Sequence, residues 1–258
     1  MTQGDRSRTR RQVLVVAALA VAVALFLAVA ASRHGFFDLR VYYGAVRFWV
    51  DEDGHIYDWL KPNSSYGFTY PPFAALTMVP MAYVSWPVAI GISSTATVVA
   101  GGLVLWWLVD PIARRMGWTR WFAFAVAVCL AAAFEPVRET FTFGQVNLLL
   151  LFLVAADLLL LVARNSRWAG VGIGLATAIK LTPGIFIVYL LITRRWRAAI
   201  TASVTAAAAT LLAAAVAVDA SREFWTSALW NVDRVGSLAF VSNQSWQGVV
   251  ARLAPTRP

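Results

Sequence analysis

The chain has 258 residues, of which 60% are hydrophobic and 14% are charged, and its formal net charge is +9. Soluble domains are about half apolar and about a quarter charged, so this composition excludes an ordinary soluble domain. The basic residues lie at the ends of apolar runs, as in membrane topology, and no nucleic-acid partner is predicted. One cysteine, Cys129, and two histidines exclude an intrachain disulfide and a thiolate or histidine zinc site.

The first predicted element is an apolar run, Val13–Ala31, which follows a basic leader. The run is longer than the roughly 7–15 residues of a signal-peptide core, and further apolar runs follow it. We therefore predict an uncleaved signal anchor. A removed signal peptide is the alternative, because Ala28-Val29-Ala30 resembles a cleavage site.

Residues 32–70 are predicted to form an outer loop with an amphipathic helix that lies in the membrane interface. Apolar side chains share one face of this helix, at Leu39, Tyr42, Val46 and Trp49. Asp38 is a candidate N-cap, and the acidic run 51–53 is expected to end the helix. The same acidic run could hold a divalent cation, although a solvated loop is the simpler interpretation.

Further apolar runs follow this loop. The strong candidates for membrane spans are Ser85–Val109, Gln145–Ala163 and Ala198–Val218, and the weaker ones are Trp121–Glu135, Ala169–Lys180 and Pro183–Thr193. A membrane helix needs about 20 predominantly apolar residues, which the strong runs supply. We predict an all-α fold, a polytopic transmembrane helix bundle in which residues 1–258 form a single membrane domain.

Arginine-rich turns predict the topology of this bundle. A cytoplasmic N-terminus collects most arginines on the inner side and leaves most acidic residues outside. Arg167 and Arg194 then lie on the same side, and the segment between them is too short for two helices of about 20 residues. We predict two half-helices with an apex at residues 179–184. Pro71–Val84 and a turn at Glu135–Gly144 are predicted to break near the same outer leaflet.

Three charged side chains are candidates for chemistry. Asp38 is either a helix cap or a general base for a hydroxyl, since aromatic neighbours can raise a carboxyl pKa. Lys180 lies in an apolar hairpin, where a lysine usually faces a cavity and a partner such as a phosphate. Snorkelling to the interface is the alternative for Lys180. Arg138 is a second phosphate candidate, with a local ion pair to Glu135 or Glu139 as the alternative.

Amide and aromatic side chains accompany these charges. Gln145, Asn147, Asn243 and Gln244 could bind sugar hydroxyls, or they could join helices and cap them. The turn around Tyr70 brings rings to the interface, where they anchor the chain or stack on sugars. Asp157 falls inside a predicted span, and its expected partner is Arg164 or a helix hydroxyl.

Five motifs occur in the order and spacing of a known family. They are Phe37-Asp38-Leu39-Arg40-Val41-Tyr42-Tyr43, Phe68-Thr69-Tyr70-Pro71-Pro72-Phe73, Gly144-Gln145-Val146-Asn147, Lys180-Leu181-Thr182-Pro183 and Asn243-Gln244-Ser245. The chain thereby resembles the actinobacterial polyprenol-phosphate-mannose-dependent alpha-(1→2)-mannosyltransferases of the GT-C superfamily. Family members usually carry further spans, so the chain is expected to be an N-terminal portion of a longer protein or a truncated product.

The resemblance implies a GT-C-like bundle in the plasma membrane, with the active site on the outer, periplasmic face. It implies a polyprenyl phosphate mannose donor, a mannose-bearing glycolipid acceptor, and inversion in a single displacement. Asp38 would be the general base, and Lys180 with Arg138 would bind the donor phosphate. The candidates for sugar or acceptor binding are Tyr42, Tyr43, Tyr70, Gln145, Asn147, Asn243 and Gln244. No metal and no cofactor beyond the lipid-linked sugar co-substrate is expected.

Three other functions stay open on the sequence. A related enzyme could take arabinofuranose from a polyprenyl phosphate donor, because the motifs do not separate pentose from hexose. A lipid or solute transporter would also suit an intramembrane lysine and broken helices, but the sequence shows no internal repeat. A non-catalytic scaffold is the third possibility.

Overall fold

The computed structural model describes residues 3–30, 34–231, 239–240 and 243–253. These residues form helices and connecting turns, and no strand occurs among them, which confirms the all-α prediction. The α-helices are α1 (Gln3–Ala30), α2 (Phe37–Asp51), α3 (Pro72–Met78), α4 (Trp86–Arg115), α5 (Arg120–Ala133), α6 (Glu135–Phe143), α7 (Asn147–Ala156), α8 (Val171–Ile179), α9 (Ile185–Ile192), α10 (Trp196–Val216), α11 (Val218–Glu223) and α12 (Trp246–Leu253). Short 3₁₀ or π segments follow several of them, at Val79–Tyr83, Asp157–Val162, Thr182–Gly184 and Phe224–Ala228.

Three helices within the described ranges are long and apolar enough to cross a membrane. They are Asp5–Val29, Trp86–Arg115 and Trp196–Val216. Helices α5 and α6 would make a fourth crossing if they form one span, with a bend of 68° between them. The prediction of a membrane-embedded helix bundle is confirmed.

The structure differs from two predictions in the region of α6 and α7. Glu135–Gly144 was expected to be a turn, and this is wrong because residues 135–143 form α6. The proline of this segment lies in the first turn of α6, where its missing N–H is harmless. The strong span predicted over Gln145–Ala163 is instead the apolar helix Asn147–Val162, which is shorter than the three helices that could cross a membrane. Gly144 ends α6 in the left-handed region with φ +71°.

The hairpin predicted around Lys180 is confirmed. Helix α8 ends at Ile179, Lys180 is extended, and the 3₁₀ turn Thr182–Gly184 leads directly into α9. Gly174 of α8 lies so close to α10 that a Cβ there would come within 2.5 Å of the Ala202 carbonyl oxygen. Small residues that allow such close helix contacts are typical of membrane bundles.

The prediction that Asp157 pairs with Arg164 or a helix hydroxyl is wrong. Its side chain is fully buried, and it accepts hydrogen bonds from the backbone N–H groups of Gly170 at 2.7 Å and Ile173 at 3.0 Å. Those groups lie at the start of α8, where backbone N–H groups have no partner within the helix. Asp157 therefore fastens the π segment after α7 to the N-terminus of α8, and Arg164 is not its partner.

The predicted amphipathic helix is confirmed as α2. Its apolar face is buried, with Leu39 and Val46 at most 1% exposed, and the helix ends at Asp51 as expected. The prediction that Asp38 is its N-cap is wrong. Phe36 occupies the cap position with φ +56°, and Asp38 is the second residue of the helix.

Two hydrophobic cores meet at the candidate site. The first core packs α2, α3 and the segment after α2 around Tyr57, Phe68 and Phe224, and the second core packs α7, α8, α9 and α10. Val146 and Ile179 pack against both cores. Their polar neighbours in the sequence are thereby brought to the junction of the two cores.

Candidate active site

Four predicted site residues form one continuous chain of hydrogen bonds. Gln145 Nε2 donates to Asp38 Oδ2 at 2.6 Å, and Asn147 Nδ2 donates to Gln145 Oε1 at 2.6 Å. Lys180 Nζ donates to Asn147 Oδ1 at 3.0 Å. We call these four residues the polar chain. It joins α2, the start of α7 and the apex of the α8–α9 hairpin, which are far apart in the sequence.

Backbone contacts fix the carboxylate end of the polar chain. The Phe36 N–H donates to the Thr142 carbonyl at 2.9 Å, which attaches the start of α2 to the end of α6. The Gln145 N–H donates to the Thr140 carbonyl at 2.9 Å. A Cβ at Gly144 would lie 2.6 Å from Leu39 Cβ, so the approach of α2 to this turn requires glycine.

Tyr70 lies beside the ammonium end of the polar chain, and Tyr42 contacts Tyr70. Lys180 Nζ lies 5.3 Å from the centroid of the Tyr70 ring, within range of a cation–π interaction. The Tyr70 hydroxyl is 2.9 Å from the Tyr42 hydroxyl, and the Tyr57 hydroxyl donates to the Tyr70 carbonyl at 2.8 Å. Burial raises the pKa of Tyr70 to about 12 and raises the pKa of Tyr42 well above its usual range. Both phenols therefore stay protonated near neutral pH.

The environment of Asp38 makes its carboxylate a stronger base than an exposed aspartate. Removal from water raises the pKa of Asp38, while the hydrogen bond from Gln145 and the positive charge of Lys180 act in the opposite direction. Burial is the largest of these effects. A half-buried carboxylate with a raised pKa is suited to accept a proton from a hydroxyl.

Arg138 belongs to a second polar group. Its Nη2 lies 3.3 Å from Glu139 Oε1, and His34 Nε2 lies 2.6 Å from Glu139 Oε2. The local ion pair, which is the alternative interpretation of Arg138, is present with Glu139. The Arg138 side chain also lines an apolar cavity of about 580 Å³ between α1, α4, α5 and α6.

Three other predicted site residues are not members of the polar chain. The Tyr43 hydroxyl donates to the Val84 carbonyl at 2.9 Å, and its ring meets Trp86 edge to face. Asn243 Oδ1 accepts from the Ser245 hydroxyl at 2.7 Å, just before α12. Gln244 is exposed.

The acidic run after α2 is separate from the site. Asp51 forms an ion pair with Arg47 at 2.9 Å, and Asp53 is exposed. Within the described part of the chain, no group of three histidine, cysteine or acidic side chains is arranged to hold a metal ion.

Two residues that contribute to the site, Tyr57 and His34, are not predicted from the sequence. Tyr57 is fully buried and holds the Tyr70 backbone, and His34 pairs with Glu139 and stacks on Phe143 with ring centroids 3.7 Å apart. A histidine directly after a span is a weak signal, because its partner lies more than a hundred residues away.

The family model of glycosyltransferase family 87 matches residues 68–257, which is most of the chain. The chain belongs to glycosyltransferase family 87. The match covers three members of the polar chain and the Asn243 motif, and Asp38 lies before it. The predicted resemblance to membrane mannosyltransferases is confirmed.

Curated relatives in this family carry related names. A polyprenol-phosphate-mannose-dependent alpha-(1-2)-phosphatidylinositol mannoside mannosyltransferase of Mycolicibacterium smegmatis is 35% identical over 232 residues, which cover 84% of this chain and 52% of the relative. A phosphatidylinositol pentamannoside mannosyltransferase of Mycobacterium tuberculosis, with the same stated donor and linkage, is 32% identical over 262 residues, covering 98% and 58%. An alpha-(1->3)-arabinofuranosyltransferase of Corynebacterium glutamicum is 29% identical over 174 residues, covering 60% and 38%.

This family 87 chain spans about half the length of the curated relatives it matches. No solved structure matches the chain at a significant level.

Proposed function

We propose that this chain carries the catalytic base of a membrane mannosyltransferase. The enzyme would move mannose from polyprenyl phosphate mannose to a mannose-bearing glycolipid, forming an alpha-1,2 linkage with inversion. The names of relatives at 32–35% identity support the donor and the acceptor class. The single observation that carries the assignment of residues is the polar chain, which joins a basic carboxylate to a lysine through two amide side chains.

In the proposed reaction, Asp38 takes the proton of the acceptor 2-hydroxyl. The hydroxyl oxygen forms a bond to the anomeric carbon of mannose as the bond from that carbon to the phosphate oxygen breaks. The departing polyprenyl phosphate keeps the electron pair. Attack from the face opposite the phosphate inverts the configuration at the anomeric carbon.

Lys180 would offset the charge that develops on the leaving phosphate. Two amide side chains separate its ammonium from the Asp38 carboxylate, so the two charges do not neutralise each other by direct contact. The separation suits this reaction, because the attacking oxygen of the acceptor and the leaving oxygen of the phosphate lie on opposite sides of the anomeric carbon. Asp38 would act on the first oxygen and Lys180 on the second. Arg138 is a weaker candidate for the phosphate, because Glu139 already pairs with it.

The remaining candidates would contact sugar or acceptor. Tyr70 presents a ring beside Lys180, and Gln145 and Asn147 contribute amides between Lys180 and Asp38. We place this site at the outer face of the plasma membrane and the N-terminus in the cytoplasm, as the distribution of arginines favours. The lipid-linked sugar is the only co-substrate that the reaction requires.

Transfer of arabinofuranose is the second candidate function. It is favoured by the similarity to an arabinofuranosyltransferase, although that match covers less of the chain at lower identity. A donor-swap assay separates the two functions. We expect transfer from polyprenyl phosphate mannose and none from polyprenyl phosphate arabinose.

The proposal is tested by Asp38→Asn in the complete protein, with radiolabelled polyprenyl phosphate mannose and membrane extracts as acceptor. Because a general base contributes about 10²–10⁴-fold, we expect a loss of that size. Asp58→Asn is the matched control, since Asp58 is an exposed carboxylate in the same segment after the first helix. Wild-type transfer by Asp38→Asn, or an equal loss in Asp58→Asn, would refute the assignment.

A further inference from the structure

Two arginine-rich turns meet at the end of the bundle away from the polar chain. The first turn, residues 163–170, follows the π segment after α7, and the second, residues 193–195, joins α9 to α10. Arg195 Nη1 donates to Asn165 Oδ1 at 3.1 Å, which holds the turns together. A cleft of about 250 Å³ lies between them, and its polar lining is Asn165, Ser166, Arg194, Arg195 and Arg197.

The positive charge of these turns is not balanced by neighbouring carboxylates. The two turns and the first residues of α10 carry Arg164, Arg167, Arg194, Arg195 and Arg197, all of them exposed. The sequence holds no aspartate or glutamate between Asp157 and Asp219. Asp157 is fully buried, and its carboxylate accepts hydrogen bonds from backbone N–H groups. Among the described residues, no ion pair involves any of the five arginines.

A third arginine-rich turn, between α4 and α5, differs from these two. Asp110 forms ion pairs with Arg114, at 2.9 Å, and with Arg120 at the turn between α4 and α5. That turn therefore has an internal counter-ion. Among the described residues, no carboxylate plays this part for the turns at 163–170 and 193–195.

Aromatic side chains place the cleft at the level of lipid headgroups. Trp168 on the first turn and Trp196 at the start of α10 are 58% and 57% exposed, and Trp196 lines the cleft. The Arg167 guanidinium lies 5.3 Å from the centroid of the Trp168 ring. Exposed tryptophans beside arginines are typical of the boundary between lipid tails and headgroups.

Helix α10 adds a weaker attraction for an anion. It is 21 residues long, begins at Trp196, and has no side-chain cap at its N-terminus. Its positive end faces the same turn as the arginines. Guanidinium groups also match phosphate oxygens in geometry, with paired N–H donors.

We propose that this cleft binds the phosphate headgroup of an anionic phospholipid. The site lies at the far ends of α7 and α8, roughly 20 Å from the polar chain by the helical rise of about 1.5 Å per residue. It is therefore separate from the candidate active site, and it does not depend on the proposed transfer reaction. A bound headgroup would supply a counter-charge that the described residues do not provide at these turns.

The test uses the complete protein in nanodiscs of phosphatidylcholine alone or mixed with phosphatidylglycerol. Bound lipid is counted by native mass spectrometry, and thermal unfolding is followed in both membranes. We expect wild-type protein to retain phosphatidylglycerol over phosphatidylcholine. The triple variant Arg194→Gln, Arg195→Gln and Arg197→Gln should bind it at least roughly tenfold more weakly, as expected for the loss of several arginines beside an anionic surface.

The matched control is the triple variant Arg114→Gln, Arg115→Gln and Arg120→Gln, which removes the same charge from the other turn. It should retain phosphatidylglycerol as the wild type does. If the glutamine variant does not fold, a variant with lysine at positions 194, 195 and 197 is used. This variant keeps the charge, and it should retain most binding. Equal weakening in both glutamine variants, no preference in the wild type, or equal binding of inorganic phosphate would overturn the proposal.

Discussion

Asp38 and Asp157 are both withdrawn from bulk water, but different groups surround them. Asp157 is fully buried and accepts two backbone N–H groups from the start of α8. Asp38 is half-buried, and a side-chain amide, Gln145, is the donor to its carboxylate among the described residues. The backbone donors of Asp157 cannot leave without opening α8, whereas the amide that serves Asp38 can rotate.

The comparison separates a structural carboxylate from one that is available for chemistry. Both oxygens of Asp157 are used to hold two helices together, so no substrate can reach them. Asp38 keeps acceptor capacity and belongs to the same polar chain as Lys180, and burial raises its pKa. Burial alone therefore does not identify a catalytic carboxylate, and the kind of hydrogen-bond donor around it is more informative.

The largest effect beyond Asp38 itself is expected for Lys180→Met. This change keeps the length and burial of the side chain and removes its charge. Because preorganised electrostatic groups contribute about 10²–10³-fold, transfer should fall by that amount. The rate is measured with polyprenyl phosphate mannose at saturation. Lys180→Arg, which retains the charge, should keep more activity, and equal losses in both variants would argue against electrostatic assistance.

A stability effect is expected for Asp157→Asn. Asparagine keeps one acceptor oxygen but leaves a buried backbone N–H without its partner, which costs about 1–3 kcal/mol. Denaturant unfolding of the purified protein in detergent measures the loss of free energy of unfolding. Asp110→Asn is the control, because its partners are the exposed arginines Arg114 and Arg120, and ion pairs at a surface contribute about 0–1 kcal/mol. Unchanged stability of Asp157→Asn would show that its two hydrogen bonds do not hold α8.

A smaller effect, in pH dependence, is expected for Gln145→Leu. The Gln145 hydrogen bond lowers the pKa of Asp38 against the effect of burial, so its removal raises that pKa further. Since the base must be deprotonated, the acidic limb of the pH–rate profile should move to higher pH. Transfer should fall roughly tenfold, as expected for one hydrogen bond to a charged group.

The control for this profile is Gln12→Leu. Gln12 also donates to a side-chain oxygen, that of Thr119 at 2.9 Å, but it lies far along α1. Its profile should match the wild type. A shift of the acidic limb to lower pH in Gln145→Leu would contradict the role given to Asp38.

Much of the fold could be predicted from the sequence, because long apolar runs and proline positions act locally. The break at Lys180 followed from the short distance between two basic turns and from the proline beside it. The shared location of Asp38, Gln145 and Lys180 followed from charge topology. These features depend on composition over windows of about 20 residues.

The exact partners could not be predicted, because they depend on tertiary contacts. The bond between Gln145 and Asp38 joins residues 107 apart in the sequence. Asp157 was expected to meet a side chain, but its partners are backbone groups, which every residue carries. The sequence predicts a turn in place of helix α6, because the helix is short and begins beside a proline, where helix and turn signals coincide.

The most direct test of the central claim is mannose transfer per folded molecule by Asp38→Asn and Asp157→Asn, measured side by side in the complete protein. We predict that Asp38→Asn folds normally and loses about 10²–10⁴-fold in rate. Asp157→Asn should be less stable but retain most of its rate once the unfolded fraction is removed. A full rate for Asp38→Asn, or an equal loss per folded molecule in both variants, would contradict the account.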